Sequence, residues 1–318
     1  MKYLLESSKF NQIDQICQQY GITDYTLNTD GSINVDGDVY LSGRGLSKLP
    51  LRFGIVSGDF YCSNNQLTSL EGAPREVGVS FYCQNNKLTT LKGAPRQVGA
   101  NFYCYYNLLT SLEGAPEEVG GVFECSNNEL NSLEGAPREV GESFHCDNNQ
   151  LTSLIGAPRE VGRDFYCDNN QLTSLEGAPW KVCASFYCDN NQLTSLEGAP
   201  KEVGDGFYCY NNKLTSLQGA PREVPGDFSC HNNQLTTLEG APREVGSFDC
   251  QNNRLTSLCG APKEVRRRFY CRNNPLPQLI LDNLSMIKHI IKNQEDYSIW
   301  RRDGTLDEFR FSELMQDI

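Results

Sequence analysis

Apolar residues along most of this chain recur in one fixed phrase, F-Y-C-x-N-N-x-L-T-S-L-x-G-A-P-x-x-V, from Phe60 to Phe269. Cys62, Cys83, Cys104, Cys125, Cys146, Cys167, Cys188, Cys209 and Cys230 fall at a strict period of 21, and Cys250 and Cys271 continue after one 20-residue step. A unit this short cannot bury an apolar face alone, so neighbouring units must stack and share a continuous core. Within a unit, Phe60 and Cys62 are two apart and face one side of an extended strand, while Tyr61 and Ser63 face the other. Asn65 follows where the chain turns inward. Its carboxamide is expected to bond the backbone of its own and the next coil, forming an asparagine ladder. Leu67 and Leu70 then return to the core, and Gly72-Ala73-Pro74 supplies a turn that cannot continue a helix. Most units take four steps from valine to phenylalanine, as from Val77 to Phe81, whereas Val245 to Phe248 takes three. The extra residue reads as a bulge at the strand entrance.

Both ends depart from the phrase, as the ends of a stack must if they are to cover exposed apolar cross-sections. Phe10, Ile13, Ile16, Cys17 and Tyr20 recur at helical spacing, with Ser8 as cap and Gly21 as stop. Tyr25-Thr26-Leu27, Asp30-Gly31, Ile33 and Val35 read as a hairpin feeding a degenerate first coil, in which Val39, Leu41 and Arg44 replace phenylalanine, cysteine and asparagine. After Pro277, the spacing of Ile280, Leu284, Ile287 and Ile291 predicts one helix. A second is signalled by Thr305 with Glu308, a capping box, and by Phe311, Leu314, Met315 and Ile318. The resulting division is a cap over residues 1–34, repeats over 35–276 in about 12 coils, and a helical cap over 277–318.

Aligned on its cysteine, the unit V-x-x-x-F-x-C-x-x-N-x-L-x-x-L-x-x-x-P-x-x resembles the leucine-rich repeat family's L-x-x-L-x-L-x-x-N-x-L. Phe60, Cys62, Asn65 and Leu67 take the roles of the second and third leucines, the asparagine and the fourth leucine, and the resemblance runs from about Val35 to Leu276. It implies a leucine-rich repeat solenoid: a parallel β-strand stack with a mostly non-helical convex side, a helix-plus-hairpin cap at the amino end and an α-helical cap at the carboxyl end. The wording of the phrase, together with D-G-T-L-x-x-x-R-F from Asp303 to Phe311, is similar to repeat proteins of tailed bacteriophages, giant viruses and some bacteria. That likeness implies an accessory cytoplasmic protein and carries no uniform activity.

Composition narrows the function classes. With 28 basic and 40 acidic side chains in 318 residues, the net charge is −12, which argues against a binder of nucleic-acid backbone. No apolar run reaches the length of a membrane span, and MKYLLESSKF lacks the features of a secretory leader. Of 14 cysteines, 11 occupy one repeat position, where parallel stacking does not present the torsion a disulfide needs. They are expected reduced and buried, in a cytoplasmic setting. His145, His231 and His289 lie apart from any candidate nucleophile, Cys183 and Cys259 stand alone, and no phosphate-binding glycine loop occurs. The expectation is a protein that is not an enzyme and has no cofactor or metal.

Since packing sets the core positions, the outward ones carry the functional information. The residue between phenylalanine and cysteine is usually tyrosine: Tyr61, Tyr82, Tyr103, Tyr166, Tyr187, Tyr208 and Tyr270, interrupted by Glu124, His145, Ser229 and Asp249. The column after cysteine includes Tyr105, Asp147, Asp168, Asp189 and Tyr210, with Tyr106 beside it. The aspartates are expected to stack on successive coils, which costs Coulomb energy and is relieved by a bound cation or a basic partner. Tyrosine offers rigid area and a hydroxyl, the chemistry of an interface anchor, although a tyrosine ladder also stabilises a sheet with no ligand at all. The exposed columns led by Arg75 and Arg96 alternate with glutamate or glutamine and read as a solvated charge ladder, broken by Trp180. The leading expectation is a protein partner held on the tyrosine and aspartate face. Self-association as an assembly or virion component, and carbohydrate or small-ligand binding on the same face, stay open.

Overall fold

The computed structural model describes residues 2–317, with side chains from residue 11 onward. They form two compact units, one running to Leu151 and including Ile155–Pro158, the other comprising Thr152–Leu154 and everything from Arg159. Each is a leucine-rich-repeat-like β-solenoid of parallel strands, with a return leg made of turns and no helix between Val39 and Leu276 among the described residues.

A coil contributes two short strands rather than the single one read from Phe and Cys. In the coil of Cys83 these are Glu76–Val77 and Phe81–Tyr82, and each pairs in register with its equivalents one coil away in a separate parallel sheet. The residues between them turn a corner. Gly99 sits at such a corner, where an added Cβ would lie 2.1 Å from the carbonyl oxygen of the coil before. The expected bulge occurs where the corner opens out: Glu223–Ser229 and Glu244–Asp249 are continuous strands, and their register shifts between Val224 and Asp227 to absorb the extra residue.

The core follows the phrase. Phenylalanines stack face to face along each unit, with Phe60 and Phe81 5.3 Å apart in the first and Phe186 and Phe207 5.4 Å apart in the second. The column of cysteines is buried beside them. Thiols also donate to the following coil, as Cys83 Sγ does to the Tyr103 carbonyl at 3.3 Å. The asparagine ladder runs towards the preceding coil, the reverse of the expected direction. Asn86 Nδ2 donates to the carbonyls of Cys62 and Cys83 at 3.0 Å, while its Oδ1 accepts the amide of Leu67 at 3.0 Å. The asparagine just before each ladder residue has a separate task. Asn64, Asn85, Asn127 and their equivalents hold φ of 52–56°, the left-handed region that asparagine tolerates best among residues with a side chain.

The amino-terminal helix, α1, spans Lys2–Tyr20, so Ser8 lies inside it instead of capping it; no glycine or proline interrupts this stretch. Phe10's side chain lies outside the described residues. Cys17 is buried, whereas Ile13, Ile16 and Tyr20 are half-covered. Tyr25, in the hairpin Tyr25–Leu27 with Ile33–Val35, donates to Asp14 at 3.0 Å and ties the hairpin to the helix.

At the carboxyl end the expected single helix is broken into α2 (Gln278–Asp282), a 3-10 turn (Leu284–Met286) and α3 (Ile287–Asn293). Asn283 takes φ −114° and ψ 27° at the break. Its side chain donates to the Leu279 carbonyl, a local bond that competes with helix continuation. Gln294 is buried and donates to the Leu258 carbonyl at 3.0 Å, which closes off part of a repeat end. The last helix, α4 (Glu308–Gln316), is capped by Asp307, whose side chain accepts the Arg310 amide. Thr305, expected as the cap, instead bonds Asp303 through both its amide and its hydroxyl, because the aspartate closes a local turn first. Ile318 lies outside the described residues.

Two measurements check this packing. Asn128→Ala removes donors from the Cys104 and Cys125 carbonyls and the acceptor of the Leu109 amide. A cost of about 2–3 kcal/mol in urea unfolding is expected; an effect near zero would show that the ladder does not hold adjacent coils together. In a thiol-labelling assay on the native protein, Cys183, which is exposed, reacts first and Cys259 more slowly. Burial pushes the thiols of Cys83, Cys104, Cys188 and Cys209 far above the usual value, so these wait for unfolding. Rapid labelling of the whole cysteine set without denaturant would refute the buried column.

Candidate interaction surface

In the first unit the tyrosine column is a stack of rings. Tyr40 and Tyr61 are 5.1 Å apart, Tyr61 and Tyr82 4.5 Å, and Tyr82 and Tyr103 5.2 Å, all near parallel. In-register pairing of the short strands puts each ring above its equivalent, and the rings stay half-exposed. Tyr40 was absent from the sequence reading because its coil is degenerate. It follows Val39 as Tyr61 follows Phe60, and that signal was available. Carboxylates at the strand start hold two hydroxyls: Tyr40 donates to Asp38 at 2.7 Å and Tyr61 to Asp59 at 3.0 Å.

Tyr105 packs edge-on against Tyr103 at 6.2 Å and against Tyr106 at 5.6 Å, which makes a cluster at one end of this stack. Tyr106 is more than half exposed and holds φ 50° at the position that carries asparagine in the other full repeats. An ordinary L-residue in this conformation costs roughly 1–2 kcal/mol, so Tyr106 is not there for stability. Glu124, His145 and Asp147 follow in the same unit and are half-buried. Burial raises the Glu124 carboxyl above its usual range, with repulsion from Asp147 adding to the effect and a hydrogen bond from Ser126 opposing it. His145 Nδ1 lies 3.9 Å from Asp147.

In the second unit Tyr166, Tyr187 and Tyr208 stack at 4.4 and 4.7 Å. Tyr210 stacks instead on His231, at 4.6 Å. Burial and neighbouring carboxylates push the phenols of Tyr208 and Tyr210 up to about 12.

Asp168 and Asp189 belong to the second unit, where the Asn169 amide donates to the Asp189 carbonyl at 3.1 Å and keeps the two positions in register, while Asp147 belongs to the first. Each carboxylate accepts a 2.6 Å bond from the side chain of the asparagine that follows it: Asn148, Asn169 and Asn190 respectively. Asp189 is buried, its carboxyl raised by that burial and eased by hydrogen bonds from Tyr210 and Asn190. These acids are engaged internally, and no group of three or more His, Cys, Asp or Glu among the described residues is placed to hold a metal ion. The charged columns on the other sheet behave as a solvated ladder: Arg75 reaches Glu76 at 3.4 Å and Lys181 reaches Glu202 at 3.4 Å, both at exposed sites. Trp180 is exposed.

No helix among the described residues is long and apolar enough to cross a membrane. No family model matches the chain, and no curated protein matches its sequence. Among solved structures, the fold is similar to that of YopM from Yersinia enterocolitica WA-314, at 20% identity and a TM-score of 0.43, over 75% of this chain and 65% of that one. It is similar also to YopM, a leucine-rich effector protein from Yersinia pestis, at 19% identity and a TM-score of 0.47, over 74% of this chain and 77% of that one. The chain thus spans just under two thirds of the first of these.

The buried Asp189 gives a pH test. Burial favours its neutral form, so its folded pKa lies above the unfolded value, and ionising it at neutral pH opposes folding. That cost is fully present above the folded pKa and disappears below the unfolded value of about 3.9. Asp189→Asn, which keeps an acceptor oxygen, should raise the melting temperature at pH 7, with the gain shrinking as the pH falls towards about 4. A destabilised variant at pH 7, or a gain independent of pH, would show that the carboxylate is favourably held.

Proposed function

We propose that this chain is a non-enzymatic protein-binding module, and that the tyrosine face of its coils is the binding surface. The observation that carries the reading is the cluster of Tyr103, Tyr105 and Tyr106 at the end of a stacked ladder. Tyr106 occupies a left-handed site that asparagine fills elsewhere, and it exposes an aromatic ring there. A residue that opposes local stability and adds exposed aromatic area is better accounted for by a contact than by the fold. Rings already stacked on their neighbours lose little freedom when a partner covers them, so the surface is preorganised.

The acidic balance of the chain supports a partner that is not nucleic acid. A buried column of protonated thiols suits a reducing compartment. With the resemblance of the repeat to phage proteins, these points support an accessory protein acting in a cytosol, that of a host cell where the chain is phage-encoded.

Affinity capture compares the wild type with Tyr103→Ala/Tyr105→Ala and with Tyr208→Ala/Tyr210→Ala in a host lysate, followed by titration of the captured protein. Removing two interface tyrosines should weaken that binding at least tenfold, about 1.4 kcal/mol or more. Unchanged affinity in both double variants would move the site off this face.

A further inference from the structure

The tyrosine column of the second unit stops after Tyr208. Ser229 and Asp249 take the same strand position on the next two coils, and Tyr270 resumes it on the third. Two rings are therefore missing from a stack whose members elsewhere sit 4.4 and 4.7 Å apart. The omission leaves a pocket of about 400 Å³, with Tyr208 and Tyr270 lining it along with Ser229, Asp249, Arg267 and Arg268. Three coil spacings of about 4.8 Å set its end walls roughly 14 Å apart, room for two planar groups inserted at ladder spacing. Among the described residues, Tyr208 stacks on one ring only and Tyr270 on none.

Two carboxylates and two guanidiniums line this notch, and they are differently engaged. Arg267 is paired with Asp227 at 2.9 Å. The floor carboxylate, Asp249, lies 3.6 Å from His231 Nδ1 and accepts bonds from the amide and side chain of Gln251. Arg268 donates to the Tyr270 hydroxyl at 3.0 Å and has no ion pair with a carboxylate among the described residues. The pocket thus offers two aromatic walls, a polar floor that includes the Asp249 carboxylate, and at the Tyr270 wall a guanidinium with no carboxylate partner among the described residues.

We propose that this notch is an anchor site for an aromatic side chain of a polypeptide partner, inserted into the gap in the ladder, with an adjacent acidic residue of the partner held by Arg268. The aromatic ring stacks on one of the phenol faces that the gap leaves uncovered, where offset stacking is favourable, and the neighbouring carboxylate suits the fork of the arginine. The inference rests on the face being a protein-binding surface, since it takes the occupant to be a polypeptide. A nucleobase meets the same walls, but on a chain of net charge −12 its phosphates are repelled.

The test uses small probes, so it does not depend on identifying the partner. Acetyl-aspartyl-tyrosine amide, acetyl-lysyl-tyrosine amide and AMP are titrated into the full chain by NMR. The aspartyl probe should bind severalfold tighter than the lysyl one, and Arg268→Gln should abolish the difference. Ser229→Tyr/Asp249→Tyr fills the gap with the residue the ladder carries elsewhere, and should keep the wild-type circular dichroism and melting while losing the probe. Tyr270→Ala, at an exposed wall, should also lose it and guards against misfolding of the filled variant. No binding by the wild type, equal affinity for the two dipeptides, a preference for AMP, or retention by the filled variant would overturn the proposal. Tyr103→Ala/Tyr105→Ala, in the other unit, should retain the probe. Loss of partner capture in that variant therefore reports on the face, and loss of probe in the filled one on the notch.

Discussion

A carboxamide shared between neighbouring coils is the interaction on which the rest of this molecule depends. Burial of phenylalanine and leucine drives a chain like this to collapse, but apolar contact is non-directional and does not choose among registers. The ladder asparagines do choose. Asn107 donates to the Cys83 carbonyl on the coil before it and to the Cys104 carbonyl on its own coil, while accepting the Leu88 amide. Sliding one coil by a residue would leave those backbone groups buried and unmet, at about 1–3 kcal/mol each. Once the register is set, equivalent side chains must lie above one another. Phenylalanine stacks on phenylalanine, thiol follows thiol and tyrosine covers tyrosine.

Two adjacent asparagines divide the work of the turn, and this division explains why the pair recurs in nearly every unit. The first holds the left-handed backbone conformation and the second enters the core. Replacing the first with tyrosine at position 106 leaves the second, Asn107, bonded as elsewhere. The fold therefore tolerates the exception locally, and its strain does not reach the ladder. A surface can be altered coil by coil in this way without cost to the register that supports it.

Much of the fold was legible because a strict period converts sequence position into spatial position. The cysteine spacing gave the stack, the burial of Phe60 and Cys62 and the second asparagine's role. The second sheet was missed because its strand is only Glu-Val, two residues with a single buried side chain and no alternation to read. The helix ends were misassigned where several polar residues compete for the same turn: Asp307 caps the last helix while Thr305 closes onto Asp303. The internal engagement of the aspartates was hidden for a related reason. Column position gives the face a residue belongs to, but it does not reveal that the asparagine at the next position will turn its amide onto the carboxylate. Tyr40 is masked by the degeneracy of its coil, and the notch by the fact that a column in sequence shows Ser229 and Asp249 as substitutions without showing the space they leave.

Interruptions are where a repeat protein departs from its own average, and the physics of stacking makes them consequential. A ring removed from the middle of a ladder uncovers the faces of the rings that remain, because the coils beneath keep their spacing. Between Tyr208 and Tyr270 the strands still pair in register through Phe228 and Phe248, whose rings stack at 5.4 Å, so the floor does not collapse into the space above it. A rigid core thus preserves any gap that the outward column acquires. In a fold whose interior is nearly uniform from coil to coil, one stretch of the surface differs from another through such gaps and through strained additions such as Tyr106. Both are defects by the standard of the repeat, and the carboxamide ladder is what allows the chain to carry them.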